Sequence, residues 1–270
     1  MLFWRWVLLD MPPGRHLRWY KLPLTGNRER ISFMERLIGH RGAAAYAPEN
    51  TLAAFDKALA LGCHFIEFDV MLSADGQAFI FHDENLKRTT NGRGEFGLVT
   101  ADYIRSLDAG GWYEKKFRGE KIPSLQDAIQ WLTARGVYAN IEIKSYPGCV
   151  EQTTIAVLTH INRYWPHDKK LPLVSSFDVD ALRLCHSIAP EIPLGLLLDK
   201  WQGNWLQLAR DLRCVSVHLS RRAATEKRVL AIKQQGYLVY VYTVNRKRQA
   251  AKLLNWGVDA VFSDYPDLLL

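Results

Sequence analysis

The sequence predicts an α/β protein built as a (β/α)8 TIM barrel, with a small cap inserted after a strand that ends at His82. Three observations predict it. From residue 124 to the C-terminus, short apolar runs alternate with segments of helical period. The runs are apolar on both faces, as expected of parallel strands covered by helices. So many βα units in one 270-residue chain favour a closed barrel over an open sheet.

Taken in order, the first strand is Leu37–His40, and a helix follows from Asn50, a residue suited to N-capping. Phe65–Leu72 and Gln77–His82 are strand-like and are joined by the turn residues Ser73-Ala74-Asp75-Gly76, which predicts a hairpin. A hairpin centred there sets Asp69 opposite His82 or nearly so. Residues 83–123 hold six glycines among aromatics and show no barrel unit; a bare loop of that length is unusual, so they are assigned to the cap. Ser124-Leu-Gln-Asp127 reads as a capping box opening a helix that stops near Gly136. The remaining strands are expected at 138–144, 172–177, 192–198, 214–219, 237–244 and 260–263. Helices are expected at 150–164, 178–188, 205–211, 225–235 and 246–256. This gives nine strands where a barrel needs eight, and the surplus is expected at the hairpin.

The formal charge is +7, but residues 1–33 carry six basic side chains against two acidic ones, so residues 34–270 carry only +3. The basic character therefore belongs mainly to this N-terminal extension. Met34 stands just before the first strand, so 1–33 reads as a mis-assigned start or a disordered tail, with residues 34–270 as the barrel. The alternative is a membrane-surface anchor using Trp4, Trp6 and Trp19 beside the basic residues. The run Leu2–Leu9 is interrupted by Arg5 and lacks a small-residue cleavage site, unlike a secretory signal. No stretch approaches 18 uncharged apolar residues, so no stable membrane insertion is expected. The four cysteines are scattered without a CxxC pair, which fits reduced thiols in a cytoplasmic protein.

Glu67-Phe68-Asp69 and Glu142-Ile143-Lys144 place charged side chains at alternate positions within apolar runs, and Phe81-His82-Asp83 sets a histidine beside an acid at the end of another. Alternate residues of a strand share a face, and charges there are costly to bury unless they pair or hold a cation. Three carboxylates with a nearby His and Lys read as a metal-assisted phosphoryl site. His40-Arg41-Gly42 ends the first strand, where a His-Arg pair suits acid/base work beside a phosphate; taken alone, His40 equally fits a hydrogen-bonded structural histidine. In Pro48-Glu49-Asn50-Thr51, Asn50 reads as the helix cap, and for Glu49 a structural role is favoured over a place near the site. His218 ends a strand and is a lesser candidate for the barrel mouth. His64, His160, His167 and His186 read as structural or surface residues, and Arg246-Lys247-Arg248 as a solvated face.

His-Arg-Gly, Pro-Glu-Asn-Thr, Glu-x-Asp, His-Asp, Ile-Pro-Ser-Leu, Glu-Ile-Lys and a terminal Asp-Tyr-Pro-Asp occur in this order. The set resembles the glycerophosphodiester phosphodiesterase family, over residues 35–270; Leu86-Lys-Arg-Thr-Thr-Asn-Gly-Arg-Gly94 resembles its inserted region. The resemblance implies Glu67, Asp69 and Glu142 as ligands of one divalent cation, Mg2+ or Ca2+. It implies His40 and His82 as general base and general acid, and Arg41 and Lys144 as phosphate-binding residues. The family often carries Trp where this chain has Tyr242. The expected reaction is hydrolysis of a small-molecule glycerophosphodiester to glycerol 3-phosphate and an alcohol, by a monomer or homodimer that binds no nucleic acid. The nucleophile is water or the glycerol 2-hydroxyl. A lysophospholipase D acting at membranes is the second reading, and a basic binding protein the third.

Overall fold

The computed structural model describes residues 36–146 and 148–269; the expectations for residues 1–33 lie outside them. Eight parallel strands close into a barrel: β1 (Leu37–His40), β2 (Phe65–Leu72), β4 (Tyr138–Ile143), β5 (Leu173–Ser176), β6 (Leu194–Leu198), β7 (Ser216–Ser220), β8 (Leu238–Tyr242) and β9 (Ala260–Ser263). The sheet runs round from β1 to β9, and β1 pairs with both β2 and β9, which makes the closure. The ninth strand, β3 (Ala78–Ile80), lies outside the ring, antiparallel to β2 with Val70 opposite Ile80. The surplus strand is thus where the sequence put it. Helices α1 (Leu52–Ala60), α3 (Leu125–Arg135), α4 (Val150–Tyr164), α5 (Val179–Ile188), α6 (Trp205–Asp211), α7 (Glu226–Gln234) and α8 (Lys247–Asn255) connect the strands, and the short α2 (Ala101–Ser106) lies in the inserted segment.

The local signals act as expected. Ser124 and Asp127 form the reciprocal capping box of α3, and Gly136 ends that helix at φ 67°. One expectation fails: Asn50 does not cap α1. Thr51 does, accepting from the Ala54 amide, while Asn50 stands one residue earlier with φ 57°. Asn tolerates that left-handed conformation better than most residues, and it frees the side chain for the site.

Alternation in β2 decides what each residue does. Ile66, Phe68, Val70 and Leu72 pack outward in the main core against residues of α1, α3 and α4. The other face carries Phe65, Glu67, Asp69 and Met71, and all eight strand residues are buried. Met71 joins Phe79, Phe81, Leu86, Phe96, Ile104, Leu107 and Ile122 in a second, smaller core belonging to the segment between β3 and α3. That segment consists of 3₁₀ turns and α2. It closes on the barrel at Gly97, where a Cβ would come within 2.4 Å of the Tyr146 ring.

Candidate active site

The site lies at the C-terminal ends of the strands, where barrels of this kind place their functional loops. His40, Arg41, Glu67, Asp69, His82, Glu142 and Lys144, all seven residues singled out from the sequence, line one cavity of about 140 Å³. Asn140, Phe177, Leu197, Tyr242, Thr243 and Phe262 complete its wall. A neighbouring cavity of about 280 Å³ shares His40 and Arg41 and adds Glu49, Asn245, Asp264 and Tyr265.

Glu67, Asp69 and Glu142 can each offer a carboxylate oxygen within 4.8 Å of the others. Register explains the grouping: Asp69 pairs with Glu142 across β2 and β4, and Glu67 pairs with His40 across β1 and β2. Burial, and then repulsion from Asp69 and Glu142, holds the Glu67 carboxyl well above the ordinary range. Glu142 is likewise raised by burial and by Asp69, against the pull of Lys144. Burial also pushes Asp69 up, but Arg41, His82, Lys144 and the Asn50 amide outweigh it and leave its carboxyl below the ordinary value. Two carboxyls forced upward, first by burial and then by the charge of Asp69, mark a cluster short of positive charge. An all-oxygen donor set of this kind fits a hard divalent cation, so the residues present suit the metal that this family depends on.

Arg41 is built into the cluster from its backbone outward. Its φ of 53° turns the chain so that its amide donates to Glu67 Oε2 at 3.0 Å. Its guanidinium meets Glu49 at 2.6 Å and Asp69 at 3.3 Å. Gly42 must follow: its φ is 84°, and a Cβ there would lie 2.8 Å from the Ala54 backbone. Asn50 donates to Asp69 Oδ2 at 2.9 Å, and its amide bonds to the Arg41 carbonyl at 3.1 Å. Glu49 and Asn50 therefore belong to the site, which corrects their reading as structural residues. The tetrapeptide holding them reads as a helix start either way, so only a positive φ at Asn50, invisible in the sequence, separates the two readings.

Each site histidine has its own carboxylate. His40 Nδ1 lies 2.6 Å from Asp264 Oδ1, and His82 Nδ1 lies 2.6 Å from Asp83 Oδ1. Such a partner fixes the ring and leaves Nε2 for chemistry. Asp264 is itself held by Asn245, whose side chain donates to it and accepts from its amide. Burial lowers the His82 pKa, with Arg41 and Lys144 adding to the effect and Asp69 and Asp83 opposing it. Asp83 stays ionised: burial opposes this, but Arg88 and His82 bring its pKa to about 2.

His218 is not at the mouth. It is fully buried inside the barrel, with Nε2 2.8 Å from Ser216 Oγ and its ring against Tyr240 and Phe262. Phe177 reaches the cavity, whereas Ser176 turns back to the Ile143 carbonyl. His160 bonds within α4 to the Ala156 carbonyl. Arg246, Lys247 and Arg248 are exposed at the start of α8. No helix among the described residues is long and apolar enough to cross a membrane.

Comparison with known proteins bears on this geometry. A model described as "Glycerophosphoryl diester phosphodiesterase family" matches residues 40–268. A glycerophosphodiester phosphodiesterase of Caldanaerobacter subterraneus subsp. tengcongensis is 34% identical over 238 residues, covering 87% of this chain and 96% of the relative. One from Bacillus subtilis (strain 168) is 33% identical over 249 residues, covering 86% and 84%. Among solved structures, an Oleispira antarctica phosphodiesterase in complex with the product sn-glycerol-3-phosphate superposes with a TM-score of 0.84 at 38% identity. The match covers 86% of this chain and 94% of that one.

Proposed function

This chain belongs to the glycerophosphoryl diester phosphodiesterase family, and from that premise we infer how its own residues hydrolyse a glycerophosphodiester to glycerol 3-phosphate and an alcohol. The observation that carries the reading is one small cavity lined by two carboxylate-bound histidines, three clustered acids, an arginine and a lysine.

Glu67, Asp69 and Glu142 hold one divalent cation, Mg2+ or Ca2+. When bound, it neutralises the phosphodiester and favours charge building on the phosphoryl oxygens. Arg41 presents a planar fork to the phosphate, and Lys144 a point charge. Asp69 and Glu49 keep the Arg41 guanidinium fixed, so little freedom is lost on binding. His40, its Nδ1 proton held by Asp264, takes the proton of the nucleophile at Nε2. His82, bonded to Asp83 in the same way, delivers a proton from Nε2 to the departing alkoxide. The lowered pKa of His82 supports that role, because a weaker base is a stronger donor once charged. Phe177, Leu197, Tyr242 and Phe262 give the cavity an apolar wall for the carbon skeleton.

Every residue in this account comes from one chain, which fits a monomer or a homodimer with separate sites. Four cysteines with no disulfide among them fit a cytoplasmic setting.

The deciding assay is release of the free alcohol, choline or ethanolamine, from glycerophosphocholine, glycerophosphoethanolamine and lysophosphatidylcholine, each with Mg2+, Ca2+ or EDTA. Turnover of the first two that EDTA abolishes is expected. Turnover indifferent to EDTA, or confined to lysophosphatidylcholine, would refute the reading.

A further inference from the structure

We propose that Arg88, in the inserted segment, is a positioning residue that aims His82 and braces Arg41 through the paired carboxylates of Asp83 and Glu49. Arg88 Nε and Nη2 donate to Asp83 Oδ2 and Oδ1 at 2.5 and 2.9 Å. Nη1 and Nη2 donate to Glu49 Oε2 and Oε1 at 2.7 Å each. Asp83 Oδ1 also binds His82 Nδ1, and Glu49 Oε1 also binds Arg41 Nη1, both at 2.6 Å. The result is an unbroken row of alternating charge: Arg41, Glu49, Arg88, Asp83, His82. One cap side chain thereby joins the phosphate-binding arginine to the proton donor.

Stability alone does not set the role of this arrangement. The Arg88 side chain is 46% exposed; a bidentate network contributes more to folding than a lone surface pair, but both arms of this one end on residues of the site. Geometry accounts for it better. Two carboxylates held at both oxygens by one rigid fork cannot swing. A carboxylate without such a clamp can rotate and release the imidazole it orients. Lysine carries the charge but lacks the planar donors to hold four oxygens at once. The other charged groups acting on His82 are Asp69, Arg41 and Lys144, and none of them touches the Asp83 carboxylate that sets its ring. The inference rests on the phosphodiesterase reading only for the reaction that is slowed; the orientation of His82 belongs to the fold.

The test uses the full chain with Mg2+, as wild type, Arg88→Met and Arg88→Lys. Two esters of glycerol 3-phosphate are compared, one of choline and one of 4-nitrophenol, whose phenolate departs without needing a proton. On the choline ester, kcat is expected to fall on the order of tenfold to a hundredfold in both variants, as for a misplaced catalytic group. On the 4-nitrophenyl ester kcat is expected to hold, while KM rises alike for both esters through Arg41. Equal loss of kcat on the two esters, or none, would overturn the proposal. Separately, 15N spectra of labelled histidine are expected to show His82 as the Nδ1–H tautomer in wild type and as a mixture in Arg88→Met. An unchanged tautomer overturns the proposal even if wild type turns over neither ester, a result that would count against the phosphodiesterase reading alone.

Discussion

His40 and Asp264, 224 residues apart, are joined at 2.6 Å across the seam where the first strand meets the last. The proton acceptor proposed for catalysis therefore depends on barrel closure. Asp264→Asn keeps the shape but can donate to Nδ1, which favours the wrong tautomer. A loss of kcat of about 10²- to 10⁴-fold is expected, with KM nearly unchanged. Steady-state kinetics at saturating Mg2+ measure it, and a change confined to KM would count against the role given to His40.

The three clustered acids oppose one another until a cation joins them. Glu67→Gln removes a carboxyl whose charged form is disfavoured by burial and then by its acidic neighbours. Without metal, this variant is expected to melt about 2–4 °C above wild type, the shift for roughly 1 kcal/mol in a domain of this size. Adding Mg2+ should raise Tm for wild type and not for the variant, because ligand binding to the folded state is what stabilises. Thermal melts with and without EDTA decide, and parallel Mg2+ shifts would exclude Glu67 as a ligand.

His218 makes the barrel interior sensitive to acid. Burial lowers its pKa from 6.5 to about 3, so the folded state refuses a proton that the unfolded chain accepts. Stability from this residue is complete above pH 6.5 and is lost as pH falls from there through 3. Within that window it changes by about 1.4 kcal/mol per pH unit. In His218→Gln, urea unfolding at pH 7, 5 and 4 is expected to show a pH slope shallower by one proton. Identical slopes would refute the assignment.

Tyr242 supplies a fourth case. Its ring meets Phe177 and Phe262 edge-on, at centroid distances of 5.8 and 6.4 Å, while its buried hydroxyl has no hydrogen-bond partner among the described residues. Tyr242→Phe keeps the ring contacts and removes the unpaired group, so unfolding free energy is expected to rise by about 1 kcal/mol. A fall in urea-unfolding free energy would show that the hydroxyl is satisfied in solution.

The barrel was legible because apolar alternation and helical period are local. Glu67 and Asp69 share a face by strand geometry alone, and Ser124 with Asp127 announces its helix. The surplus strand was legible as a count that would not close. What was hidden depends on distance or on backbone sign. Nothing in the sequence pairs His40 with Asp264, because that contact exists only once the sheet has closed. Arg88 sits in a glycine-rich stretch with no period to orient it. Asn50 resembles an N-cap until its positive φ moves the cap to Thr51. His218, the lesser candidate for the mouth, follows the same rule: its strand runs on to Ser220, which sets it within the interior layers.

One face of β2 carries Phe65 inside the barrel, Glu67 and Asp69 at the acidic cluster and Met71 in the smaller core, within seven residues. A strand is stiff, and its side-chain period admits no slip of one residue without turning every side chain over. The inserted segment and the acidic cluster are therefore mounted on the same rail. Grafting a foreign cap onto this barrel would have to respect the seat at Met71 as well as the loop ends. Diversification by wholesale cap exchange is accordingly a narrow route for this scaffold, and piecemeal change in the loops beyond the other strands is the wider one.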